Sequence, residues 1–213
     1  MKLLKKIHLF LTQQGYTEDE IACFDSTSVG LATEISLYAH HGQKRDRNEN
    51  YFAHPYAVMQ NFRKLLGILD GNDTVDVELI YKHGLVYDGI QEVCLLHDVI
   101  EDTSVTMDEL TEIFSNFGFE TYFSLHIKPT LSMLTHQKDV PYGEYIDKIT
   151  TSLSASIVKL MDLTDNMNML QLNTLDEYCF NRTLKYLNAF KKINDVHHIV
   201  EKSKNYLDEK NSI

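Results

Sequence analysis

The chain has 213 residues, 43% hydrophobic and 10% aromatic, enough apolar material for one sizeable core. Its 20 basic and 31 acidic residues leave a formal charge of −11, which argues against broad nucleic-acid or anionic-membrane surfaces but leaves room for a small phosphorylated substrate where basic residues gather. The cysteines Cys23, Cys94 and Cys179 are far apart and form no CxxC pair, which argues against a disulfide framework and for reduced thiols in a cytoplasm.

The opening MKLLKKIHLFLTQQG is only superficially like a secretion signal. Its apolar run is short, is broken by Lys5, Lys6 and His8, and lacks a small-residue cleavage site, so it predicts an amphipathic first helix. No run approaches the length of a membrane span. VGLATEISLYAHHGQ (29–43) places Leu31, Ile35, Tyr38 and Ala39 at helical steps, and Arg45 to Asn50 reads as a polar loop. HPYAVMQNFRKLLGIL (54–69) has proline at a first-turn position, followed by Val58, Phe62, Leu65 and Leu66. The stretch 76–100 predicts two helices separated near Gly84. In 103–118, Thr106 and Glu109 predict a capping box and Gly118 a stop. HIKPTLSMLTHQKDVPYGE (126–144) reads as irregular or mobile. Two further helices are expected within 153–172 and 174–193, and the tail from about 202 is expected to fray. Strand-like alternation is scarce, so the expectation is an all-α protein, one domain over 1–213.

The stretch that asks for explanation is CLLHDVIEDT (94–103), where His97, Asp98, Glu101 and Asp102 follow an apolar run. On one helix, His97 would stack with Glu101 and Asp98 with Asp102, beside an apolar side of Val93, Leu96 and Ile100. Carboxylates this dense repel one another unless something positive joins them, and a divalent cation would do so. The bland alternative is a solvated helix end; the apolar flanks count against it. Further ligands must come from elsewhere. His54, just before Pro55, is expected at a helix start and held away from the αR region. Taken alone it reads as a capping or satisfied core histidine. Asp162, Asp165 and Asn166 share a face of IVKLMDLTDNMNML, next to an inward side of Ile157, Leu160, Met161, Thr164 and Met167. There the alternative is an exposed polar stripe. Lys44, Arg45 and Arg47 form the dense basic patch near these motifs, either a phosphate clamp or a solvated loop, and Lys159 is a further cation.

In the words AHHGQKR, YFAHPYAV, LLHDVIEDT and IVKLMDLTDNMNML the chain resembles the HD metal-dependent phosphohydrolases, and within them the hydrolase domain of the RelA/SpoT alarmone enzymes. The resemblance runs over about 32–190 and is closest to the stand-alone small alarmone hydrolases, a type that includes the metazoan SpoT homologue. It implies an HD-domain helical bundle in which His54, His97, Asp98 and Asp162 are metal ligands, usually for manganese. It implies that Glu101 and Asp102 position or activate the attacking water, that Lys44, Arg45 and Asn166 lie against the nucleotide, and that Tyr186 lies at the guanine pocket. Two residues depart from the family word KLADRLHNM: Leu163 stands for its arginine and Asp165 for its histidine. Asp165 would place a negative charge where the substrate is anionic.

Two imidazoles and two carboxylates suit manganese or iron, with zinc open, and such an ion lowers the pKa of a bound water. The resemblance therefore implies hydrolysis of guanosine tetra- or pentaphosphate to GDP or GTP plus pyrophosphate by a cytoplasmic enzyme of the stringent response. No nucleic-acid or membrane partner is expected, and an oligomer is compatible but not derivable. With no room for synthetase or regulatory domains, the chain is expected to degrade alarmone and not make it. Two other readings stand: the same chemistry on NADPH or a 3′-phosphonucleotide, motivated by Leu163 and Asp165, and a catalytically silent nucleotide sensor.

Overall fold

The computed structural model describes residues 2–45, 48–68, 75–172 and 174–212. Among them there is no strand, only one isolated antiparallel bridge between Lys44 and Asn50. The chain opens with α1 (Lys2–Gln13), α2 (Glu18–Asp25) and α3 (Ser28–Ala39), then α4 (Ala53–Leu65), α5 (Val77–Lys82), α6 (Ile90–Leu96) and α7 (Val99–Asp102). It continues with α8 (Met107–Asn116), α9 (Glu120–Tyr122), a π turn (Phe123–Ile127), α10 (Lys128–Leu134), α11 (Tyr142–Ile149) and α12 (Leu153–Asn166). A 3-10 turn (Met169–Gln171), α13 (Glu177–His197) and α14 (Ile199–Lys210) complete it.

Side-chain caps start many of these helices. Thr17 and Thr106 form full capping boxes with Glu20 and Glu109, and Thr27, Asp76, Ser152 and Asp176 each accept from a first-turn amide. The core is continuous from Ile7 and Leu11 on α1 through Leu31, Phe62, Val93 and Phe114 to Leu160 and Tyr206. α12 lies at its centre, packed against α4, α6, α10, α11 and α13. α6 enters through Gly89, whose φ of 75° is left-handed. A Cβ there would meet the His126 backbone oxygen at 2.9 Å, so both the conformation and the space call for glycine.

The structure corrects four expectations. Residues 126–144 are mostly ordered helix, because Pro129 falls in the first turn of α10, where no donor is required, and Ile127, Leu131 and Leu134 are buried. The tail does not fray at 202: α14 runs to Lys210, buries Tyr206, and its Ser203 hydroxyl donates to the Leu65 carbonyl. On α12, Thr164 is exposed whereas Leu163 and Asp165 are buried, because this helix is covered on most sides and has no broad solvent face. The charged stretch is not one helix either: α6 stops at Leu96 and α7 restarts at Val99.

Candidate metal centre

The backbone stays in the right-handed helical region across this break, with φ −58° and ψ −35° at His97 and φ −94° and ψ −9° at Asp98. At the break, His97 Nδ1 engages the Cys94 carbonyl at 2.8 Å and the Asp102 amide donates to the Asp98 carbonyl at 2.8 Å. His97 Nε2 then lies 3.2 Å from Asp98 Oδ2. The predicted stacking of His97 with Glu101 is replaced by this pairing with Asp98.

His54 arrives from α4 and Asp162 from α12. Pro55 does not hold His54 out of the helix, as the sequence had led us to expect: His54 is already the second residue of α4, and a proline in the first turn removes no needed donor. His54 Nε2 lies 3.1 Å from Asp162 Oδ1 and 3.4 Å from Asp98 Oδ2, and His97 Nε2 lies 3.7 Å from Asp162 Oδ1. Four donor atoms from three segments therefore sit 3.1–3.7 Å apart along these contacts. Donors around one ion with bonds of about 2.0–2.2 Å are separated by roughly 3.0–3.6 Å; His54, His97 and Asp98 each offer a donor atom within 4.8 Å of the others, and Asp162 closes on them through His54 Nε2. An orphaned atom supports the fit: His97 Nε2 is buried within reach of both carboxylates yet has no hydrogen-bond partner among the described residues. Its other nitrogen is committed to Cys94, which leaves Nε2 as the free donor to a metal.

The surrounding charges hold both carboxylates ionised. Burial opposes the charge on Asp162, but Lys159, whose Nζ donates at 2.7 Å, and then His54 and His97 hold it well below the usual carboxylate range. Asp98 is likewise held low against burial by His97 and His54. Burial disfavours the charged imidazoles, but these carboxylates outweigh it, raising His54 well above its ordinary value and His97 to about 9.

Asp165 has a role that its sequence position did not suggest. Its Oδ2 meets His54 Nδ1 at 2.7 Å and accepts from Arg45 Nη1 at 2.6 Å, while Gln171 donates to Oδ1 at 3.2 Å. The contact to Nδ1 fixes the His54 ring with Nε2 toward the other ligands, as second-layer carboxylates do for metal-bound histidines. Its charge is therefore matched by Arg45 and His54 and is not presented bare to a substrate.

A polar cavity of about 540 Å³ opens above the cluster, lined by His54, Asp98 and Asp162 together with Lys44, Arg45, Asn166, Arg182 and Tyr186. All four sequence-predicted substrate contacts thus line it. Asn166 bridges the two zones, its amide donating to Asp162 while its carbonyl accepts from Arg45 Nη2 at 3.0 Å. Arg47 lies outside the described residues. Glu101 and Asp102 are not in the lining: Glu101 accepts from the His136 amide at 3.0 Å, and the Asp102 side chain meets the cluster through Tyr51. The Tyr51 hydroxyl reaches Asp98 Oδ2 at 2.8 Å and Asp102 Oδ2 at 3.1 Å. Burial and then the Asp98 charge drive its pKa far up, so it stays a neutral donor. Sequence reading missed Tyr51 and Arg182. Arg182 stands four residues before Tyr186 on α13, so helical spacing would have found it, whereas Tyr51 lies in the turn ahead of α4, where no such spacing applies.

The described residues define an all-α fold that carries a histidine–aspartate set able to hold a divalent metal. No family model matches the chain. It is 30% identical over 138 residues to the guanosine-3′,5′-bis(diphosphate) 3′-pyrophosphohydrolase of Haemophilus influenzae, a match over 64% of this chain and 18% of that longer protein. Its fold is similar to the solved structure of a metazoan ortholog of SpoT that hydrolyses ppGpp, with a TM-score of 0.54 and 21% identity over 88% of this chain and 98% of that one.

Proposed function

We propose that the chain, read as one HD-type unit over 1–213, hydrolyses guanosine 3′,5′-bis(diphosphate) to GDP plus pyrophosphate, and the pentaphosphate to GTP plus pyrophosphate. The observation that carries this reading is the convergence of His54, His97, Asp98 and Asp162 on the floor of a cavity walled by Lys44, Arg45 and Arg182. The likeness to the two proteins above supplies the substrate.

A divalent metal held by these four residues, manganese in our reading, would supply charge for a phosphate oxygen and a bound water of lowered pKa. Asp102, tied to Asp98 through Tyr51, is assigned to accept the water's proton, a role typically worth about 10² to 10⁴ in rate. Glu101 is assigned to orient the same water, for which it must leave the His136 amide. Lys44, Arg45 and Arg182 wall the cavity and offset the phosphate charge, with Arg45 keeping its hold on Asp165. Tyr186, half-buried on the cavity wall, offers its ring to the guanine, and Asn166 lies beside the ribose. The reduced cysteines suit a cytoplasmic setting; no helix among the described residues is long and apolar enough to cross a membrane.

The reading that motivated another substrate loses its basis in Leu163, which is fully buried, and in Asp165, which is paired. Incubating manganese-loaded protein with guanosine tetraphosphate, NADPH and a 3′-phosphonucleotide tests the choice. Release of GDP and pyrophosphate from the first alone is expected; no turnover of it would overturn the proposal, and binding without turnover would mark a silent sensor.

A further inference from the structure

Away from this centre, α1, α2 and α3 bring His8, Asp25 and Glu34 together. His8 Nε2 lies 3.2 Å from Asp25 Oδ1 and 3.8 Å from Glu34 Oε2, and one donor atom from each residue falls within 4.8 Å of the others. Glu34 is fully buried, between Leu31, Ala32, Ile35 and Ser36 on α3, and neither of its carboxyl oxygens has a hydrogen-bond partner among the described residues. A buried carboxyl without a protein hydrogen-bond partner is costly in either protonation state. His8 and Asp25 face outward onto a cavity of about 320 Å³, which Thr12 and Glu18 also line. Three donors are therefore in place, and the remaining side is open to solvent.

We propose that His8, Asp25 and Glu34 form a second divalent-cation site, separate from the HD centre, that ties α1 and α2 to α3. A neutral imidazole and two carboxylates carry a charge of −2, matched by one divalent ion. The donor spacings need only small closure to meet bonds of about 2.0–2.2 Å. One nitrogen and two carboxylate oxygens suit zinc or manganese, with water completing the shell from the cavity. A structural role follows from the location: the ligands come from three helices, and none of them lines the cavity above the HD centre.

Metal-stripped full-length protein titrated with zinc and with manganese by calorimetry, with bound metal counted by elemental analysis after dialysis, tests this directly. Two ions per chain are expected for the wild type and one each for His8→Gln and for Glu34→Gln, both of which keep turnover. Asp162→Asn, which disables the HD centre, still binds one ion, and that ion raises its Tm by about 5–10 °C when supplied at a hundred times its Kd. One ion in the wild type and none in Asp162→Asn would overturn the second site while leaving the hydrolase reading untouched. Loss of alarmone turnover with two ions still bound would do the reverse. Glu34→Gln keeps the shape of the buried side chain, so the comparison does not hinge on a variant that fails to fold.

Discussion

Among the described residues, two clusters combine histidine with buried carboxylates, and their electrostatics run in opposite directions. At the HD centre, Asp98 and Asp162 are held well below the usual carboxylate range, because Lys159, His54 and His97 outweigh the effect of burial. At the α1–α3 junction, burial and then the Asp25 charge push Glu34 up to about 8. A carboxylate can be buried at little penalty where cations surround it, and remains a liability where a single imidazole is its neighbour. The first cluster thus carries its own countercharges, whereas in the second, among the described residues, the buried carboxyl has no cationic side chain but His8 beside it.

Asp162→Ala is the sharpest way to break the balanced cluster. It removes one proposed metal ligand and leaves the half-buried Lys159 without its carboxylate, so turnover of guanosine tetraphosphate should fall by more than about 10⁴-fold and metal should be lost from this centre. Next comes Asp102→Asn, expected to lower kcat by about 10³-fold with metal content unchanged in elemental analysis; full activity would show that Asp102 does not act on the water. Asp165→Asn retains the shape but weakens the hold on His54 and Arg45. Manganese affinity measured by calorimetry should fall about 10- to 100-fold.

The smallest effect comes from a buried acid outside both clusters. Glu92 accepts from the Ser28 hydroxyl at 2.5 Å, and burial raises its pKa. A carboxyl whose folded pKa is raised binds more protons folded than unfolded, so its penalty is absent at low pH and grows as pH rises above the ordinary carboxylate value. Glu92→Gln should therefore raise Tm by a few degrees at pH 7.5, with the gain vanishing near pH 4. A gain that stayed the same at both pH values would show that titration of Glu92 has no part in it.

Much of the site was legible in the sequence because its residues lie in short words with unusual composition. His97 and Asp98 sit at the end of an apolar run, His54 precedes a proline, and Asp162 interrupts an apolar helix. What spacing alone misjudged were the features set by partners distant in the chain. Asp165 read as a charge hostile to the substrate; its partners His54 and Arg45 are more than a hundred positions away, at separations of 111 and 120. The segment 126–144 read as irregular because proline and scattered polar residues mask a helix whose apolar side is visible only against its packing partners.

By itself the sequence determined the helical class, because apolar spacing of three and four and the capping residues act locally within each segment. It also determined which side chains are able to bind a metal. The tertiary structure decided where those side chains meet. His97 and Asp98 lie against one another at the junction of α6 and α7, packing brought His54 and Asp162 up to them, and Tyr51 joined the Asp102 side chain to the cluster. Those outcomes depend on side-chain directions and long-range contacts, which no local pattern encodes.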